Sequence, residues 1–157
     1  MDHGKEFESI TKNALLAEGC CFDRLPDQMT GRAGSVNPGD FTAYLKPHYL
    51  YIECKSCSSD LFTIKNYISE KQWLKLLKKA RPKYPGVYVG YLVWLIADSR
   101  IFWIPALKME ALYKEHKSFD AKIVAPWAVP VKFEMSRGKP VLKNLIKTIV
   151  TGEKKLK

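Results

Sequence analysis

The chain has 157 residues, 46% hydrophobic and 12% aromatic, enough to bury one real core and too few for two comfortable domains. Its 26 Lys and Arg against 16 Asp and Glu give a formal charge of +10, which favours a polyanionic partner, nucleic acid first, although many basic proteins are merely soluble. No apolar run approaches the ~20 residues of a membrane span, and "MDHGKEFESI" lacks the charged-then-apolar layout of a secretion signal, so no membrane partner and a cytoplasmic location are expected.

The first predicted element is a helix over 5–18. It places Phe7, Ile10, Ala14, Leu15 and Ala17 on one arc, with Gly19 as its stop. "CCFDRL" suits a short strand. Pro26 to Gly39 is rich in Gly, Pro, Asp and Asn and reads as a loop, in which Arg32 and Ser35 serve either a phosphate or solvent and their own turn. "FTAYL" and "YLYIECKS" form a hairpin across the turn "KPH", where Lys46 is a similar open case. Ser69 caps a helix running to about Lys79 and closed by "RP", with Trp73, Leu76, Leu77 and Ala80 on one arc. Its opposite face, Lys71, Lys75, Lys78 and Lys79, meets either phosphates or water. "GVYVGYLVWLIA" is apolar almost throughout, so residues 86–97 are expected at the sheet centre, and "DSR" turns them into "IFWIPA". "ALKMEALYKEH" reads as another helix. Residues 122–150 match no clear pattern, and the lysine-rich end 151–157 reads as frayed. The order implies one α/β domain over 1–157 with a central mixed sheet, a core of about 4–106 and a C-terminal extension of about 107–157.

The chemistry concentrates in "YIECKS". Strand alternation puts Glu53 and Lys55 on one face and Ile52 and Cys54 on the other. An unpaired buried charge is costly, so the charged face must open to water, form an ion pair or serve a metal. Asp40 enters the neighbouring strand thirteen positions earlier, where a hairpin brings its carboxylate beside Glu53. Two such carboxylates repel unless a cation joins them, and oxygen ligands suit Mg²⁺. An adjacent lysine can orient or deprotonate a water while the metal stabilises phosphoryl charge, a complete set for phosphodiester hydrolysis. The triplet Glu-x-Lys alone is not distinctive, since it recurs at Glu115 and Glu153, and an edge-strand ion pair is the bland alternative. Cys54 and Cys57 have zinc-like spacing, but Cys54 faces away from Glu53 and Lys55, so reduced, structural thiols are expected. His3, His48 and His116 show no metal spacing.

At Asp40, Glu53 and Lys55 the chain resembles the PD-(D/E)XK nuclease superfamily, with "PGD" where its signature has "PD". "GKEFE" looks like the N-terminal glycine-to-glutamate signature of Holliday-junction resolvases of the RecU and archaeal Hjc type. "ISEKQWLKLLKKA" is similar to the helix that follows their catalytic strand, and "YLVWLIADSRIFWIPA" to their hairpin ending in "PA". The resemblance covers about Gly4 to Ala106, and the loop before Asp40 is shorter than the stalk of cellular RecU proteins, as in a small phage-type resolvase. It implies a restriction-endonuclease-like core in which Asp40, Glu53 and Glu8 hold Mg²⁺, with Mn²⁺ an expected substitute. Glu6 lies on the other margin of the same helical arc. Lys55 would position the attacking water and Gln72 would border the site. The implied partner is DNA, four-way junctions preferred, with a homodimer supplying two symmetric cuts in recombination and repair. The alternatives are a restriction- or repair-type endonuclease on duplex or flapped DNA, and a non-catalytic DNA-binding protein on the same fold.

Overall fold

The structure is a computed structural model that describes residues 3–24 and 41–156. Asp40 and the loop before it, with Arg32 and Ser35, lie outside the described residues. The elements in chain order are α1 (His3–Ala17), β1 (Cys21–Arg24), β2 (Phe41–Leu45), β3 (His48–Cys57), β4 (Phe62–Thr63), α2 (Ile64–Tyr67), α3 (Glu70–Ala80), β5 (Val87–Leu95), β6 (Arg100–Pro105) and α4 (Ala106–Glu115). There follow β7 (Ser118–Phe119), α5 (Ala121–Val124), a 3₁₀ turn at Ala125–Trp127, β8 (Val129–Pro130), β9 (Phe133–Ser136), β10 (Lys139–Leu142) and α6 (Leu145–Lys155).

The main sheet runs β1-β2-β3-β5-β6-β8. β3 and β5 pair in parallel while their outer neighbours pair antiparallel, so the sheet is mixed. A parallel pair needs a crossover, and α3 supplies it between β3 and β5. Strand alternation then divides the core. Leu50, Ile52 and Cys54 of β3 pack with Phe7, Ile10 and Leu15 of α1 and with Ile146 and Ile149 of α6. Tyr51 and Cys57 face the other way, onto Leu76 and Leu77 of α3 and Met109 and Leu112 of α4. β5 is covered on both faces, which is why Val89 to Leu95 reads as one apolar run. Gly90 is required there, because a Cβ would sit 2.6 Å from the Ile104 carbonyl oxygen and 2.8 Å from the Trp103 ring.

Two expectations are corrected. Ala17 is exposed, because α1 leaves the core after Leu15 and stops at Ala17, two residues before Gly19, whose φ of +69° few other residues adopt. Residues 151–155 are not frayed but form the end of α6. This end is held by contacts that its lysines conceal. Gly152 lies so close to Val129 that a Cβ would overlap its side chain, and Trp103 Nε1 donates a 2.6 Å hydrogen bond to Glu153 Oε2. The start of α6 is tied down as well. The Glu18 carboxylate, at the end of α1, accepts from the Ile146 amide at 3.0 Å and serves as its anionic cap.

Burial pushes the Glu153 carboxyl up to about 7, against the opposing Trp103 hydrogen bond. Between its ordinary 4.5 and about 7, the folded chain keeps a proton that the unfolded chain releases. Stability therefore falls as pH rises through that window and levels off above it. Glu153→Gln keeps an acceptor for the indole and removes the titration. Thermal unfolding followed from about pH 5 to 7 should lose much of its slope, with a gain near neutral pH of about 2 kcal/mol. An unchanged slope would move the effect to Glu18, the other carboxyl that burial raises.

Among the described residues, no helix is long and apolar enough to cross a membrane.

Candidate active site

β3 lies inside the sheet, and its alternation decides which side chains meet α3. Glu53 and Lys55 share the face of Tyr51 and Cys57, towards α3. Glu53 is only 2% exposed, and Lys55 Nζ lies 3.3 Å from its Oε2. Gln72, on α3, completes a triangle. Its Nε2 donates to Glu53 Oε2 at 3.2 Å, and its Oε1 accepts from Lys55 Nζ at 3.0 Å. A carboxylate only accepts and an ammonium only donates, so the amide can face them in one orientation alone.

Local sequence places that amide. Ser69 is the N-cap of α3, and Gln72 is the third residue of the helix. The Gln72 backbone N–H donates to Ser69 Oγ at 3.2 Å, and the Ser69 backbone N–H donates back to Gln72 Oε1 at 3.4 Å. This reciprocal capping box is legible in "SEKQ". It holds the Gln72 side chain by contacts independent of the two charges, so one residue starts the helix and bridges to the strand.

Neutral phenols flank the carboxylate. Burial, then the charges of Tyr49 and Glu53, push Tyr51 up to about 12. Burial raises Tyr91, the β5 partner of Glu53, further still. Both stay uncharged at physiological pH and add no anion beside Glu53.

The remaining expected residues are placed as follows. Glu8 lies on α1, on the side of the sheet away from α3, and its carboxylate pairs with Arg24 of β1, with Arg24 Nε at 3.1 Å. Its hydrogen bonds and ion pair go to that guanidinium and not to the Glu53 triangle. Arg24 nevertheless shares a rung with Phe41 and Ile52 across three strands, one residue short of Glu53. Glu6 binds His3 at 3.3 Å and Lys139 at 3.8 Å. Asp40 directly precedes Phe41 in the sequence and lies outside the described residues. Cys54 and Cys57 do not converge: Cys54 Sγ donates to Thr11 Oγ1 at 3.3 Å under α1, while Cys57 Sγ meets the Tyr67 hydroxyl at 3.2 Å on the opposite face. All four cysteines are free thiols.

Among the described residues, no group of three or more His, Cys, Asp or Glu converges on a point. Glu53 itself fits a hard cation in kind: it is a buried oxygen donor, oriented by the Gln72 side-chain amide and paired with the Lys55 ammonium. Pattern reading alone missed two features. One is that Gln72 touches both charges, for which the capping box was the available signal. The other is the exposed tyrosines Tyr44 and Tyr49 on β2 and β3, whose alternation looks like that of any half-buried strand.

No family model matches the chain, and no curated protein matches it. Among solved structures it is similar to Hjc of Archaeoglobus fulgidus, a Holliday junction resolvase from an archaeal hyperthermophile. The two superpose with a TM-score of 0.55 at 20% identity, over 81% of this chain and 95% of that chain. The central mixed sheet flanked by helices is thus an Hjc-like fold of the restriction-endonuclease type.

Proposed function

We propose that this chain is a metal-dependent DNA endonuclease of the PD-(D/E)XK type, a single nuclease domain that works as a homodimer on four-way junctions. The observation that carries the proposal is the buried Glu53–Lys55–Gln72 triangle on an inner strand of an Hjc-like fold. Apolar residues of similar size would serve stability there as well or better, because a buried ion pair rarely repays its desolvation. Opposite charges retained at such a position point to chemistry.

Each residue has a role that follows from its surroundings. Glu53 and Asp40 are the proposed oxygen ligands, with Glu8 assisting from α1. Mg²⁺, or Mn²⁺ in its place, would supply Lewis-acid stabilisation of phosphoryl charge and a more acidic water. Lys55 carries three N–H donors. Glu53 and Gln72 engage two of them, which leaves one for an attacking water or a phosphate oxygen. Gln72 is a positioning residue: it fixes Lys55 by its carbonyl and Glu53 by its amide, so neither must reorganise during the reaction.

The DNA assignment is supported by the charge of +10 and by the substrate of the similar archaeal protein, a Holliday junction resolvase. Symmetric cuts across a branch require two active sites related by a two-fold axis, hence the homodimer. A labelled panel of four-way junction, flap and linear duplex, each with Mg²⁺, tests the substrate. Paired symmetric nicks in the junction, about tenfold or more faster than duplex cleavage, are expected. Equal cutting of linear duplex would favour a restriction- or repair-type enzyme, and no cutting at all a non-catalytic DNA-binding protein.

A further inference from the structure

The α3 side of the sheet is not uniformly covered. Tyr44 and Tyr49 are 47% and 41% exposed. They are direct partners on the antiparallel β2–β3 rung, so both side chains rise from the same face of the sheet. Tyr49 and Tyr51 lie on the same face of β3 as Glu53, in steps of two residues leading to the candidate site. Beside them runs a groove of about 630 Å³ whose walls include Tyr49, Tyr84, Lys75, Lys78 and Lys79. Tyr84 is 66% exposed, and Lys79 Nζ sits 4.7 Å above the Tyr51 ring.

This combination selects its occupant. Three lysines along the groove disfavour a cationic partner and the identical face of a second copy, whose like charges would be forced together. Exposed aromatic rings flanked by ammonium groups suit a polyanion that also offers flat π faces, which is a nucleic-acid strand. In an intact duplex those faces are stacked away, so only unpaired or splayed nucleotides can use the rings. We propose that the open tyrosine face of the β2–β3 hairpin is a docking platform for unpaired nucleotides of the DNA strand, with bases on Tyr44, Tyr49 and Tyr84 and phosphates on Lys75, Lys78 and Lys79. It deepens the nuclease assignment, on which it rests for the identity of the bound strand as substrate. The platform delivers a strand opened at a branch point along β3 towards Glu53.

The test is binding without catalysis. Fluorescence anisotropy in EDTA compares a labelled oligo-dT of about 20 nucleotides with a duplex of the same length. The double substitution Tyr49→Ala with Tyr84→Ala should weaken oligo-dT binding by about tenfold or more and duplex binding by less than about threefold, and the corresponding Phe pair should restore it. Lys78→Ala should weaken both and lower the salt slope by about one. The tyrosines are exposed, so the unfolding temperature should stay within about 2 °C as a check on folding. Oligo-dT binding unchanged by the Ala pair, or lost equally for both DNAs, overturns the platform. So does dissociation of a dimer in sedimentation by the Ala pair, which would make the face a contact between copies. A protein that binds oligo-dT through these tyrosines yet cuts no DNA supports the platform and removes the nuclease assignment. Junction cleavage with tyrosine-independent binding removes the platform alone.

Discussion

Lys55→Met is expected to slow Mg²⁺-dependent DNA cleavage by about 10²–10⁴-fold, the range for losing a group that orients or transfers a proton, and to lower stability as well. Lys55 Nζ lies 3.3 Å from Glu53 and 3.0 Å from Gln72, so methionine keeps the stem and deletes only the ammonium. The Glu53 side chain, 3% exposed, loses a close cation, whereas the Lys55 side chain at 16% still reaches water. Stranding a charge in a buried pair costs up to about 3–5 kcal/mol. The partial exposure of Lys55 reduces that to about 2 kcal/mol, or roughly 5 °C in Tm for a chain of this size. Junction affinity should change by less than about threefold, because Glu53 and Gln72 already engage two of its three donors and it is one cation among 26 Lys and Arg. Single-turnover cleavage, gel shift and thermal unfolding read the three effects separately. Cleavage within about threefold of the parent would remove Lys55 from the catalytic set.

Glu53→Gln is expected to be the mirror case: cleavage falls by more than about 10³-fold, equivalent to about 4 kcal/mol of lost charge stabilisation, while stability moves by no more than about 1 kcal/mol. Here the charge is deleted at its most buried end, and the glutamine has the same shape. Lys55 keeps its bond to the Gln72 carbonyl. Removing a buried charge is mild, and leaving one behind is not. The contrast between the two variants is the stability signature of a carboxylate retained for chemistry. Glu53→Gln as destabilising as Lys55→Met would instead mark the pair as structural.

Much of this site was legible. Alternation alone put Glu53 and Lys55 on one face of β3 and Cys54 on the other, because a side-chain period of two leaves no choice once the strand is recognised. Ser69 announced the start of α3, and the glutamine three residues later belonged to the same capping signal. The apolar run of β5 announced a strand covered on both faces. What remained hidden depends on contacts remote in sequence. α2 and α5 have four residues each, too few for a helical period to show. β8 is two residues long and is defined only by its pairing with β6. The end of α6 looked like a lysine-rich tail because Gly152 and Glu153 are its inward residues, and only Val129 and Trp103 reveal what they meet. The tyrosine face was equally silent: Tyr44 and Tyr49 follow ordinary strand alternation, and the sheet order and their exposure are what show an uncovered surface.

The most direct measurement is single-turnover cleavage of a synthetic four-way junction in Mg²⁺ by Asp40→Asn, run beside a gel shift of the same junction in EDTA. The substitution removes one negative charge from the proposed metal ligands and leaves the Glu53–Lys55–Gln72 triangle chemically intact. Junction binding within about threefold of the parent, with cleavage reduced by more than about 10³-fold, is the predicted result. Cleavage at the parental rate would contradict a catalyst in which Asp40 and Glu53 together hold the cation.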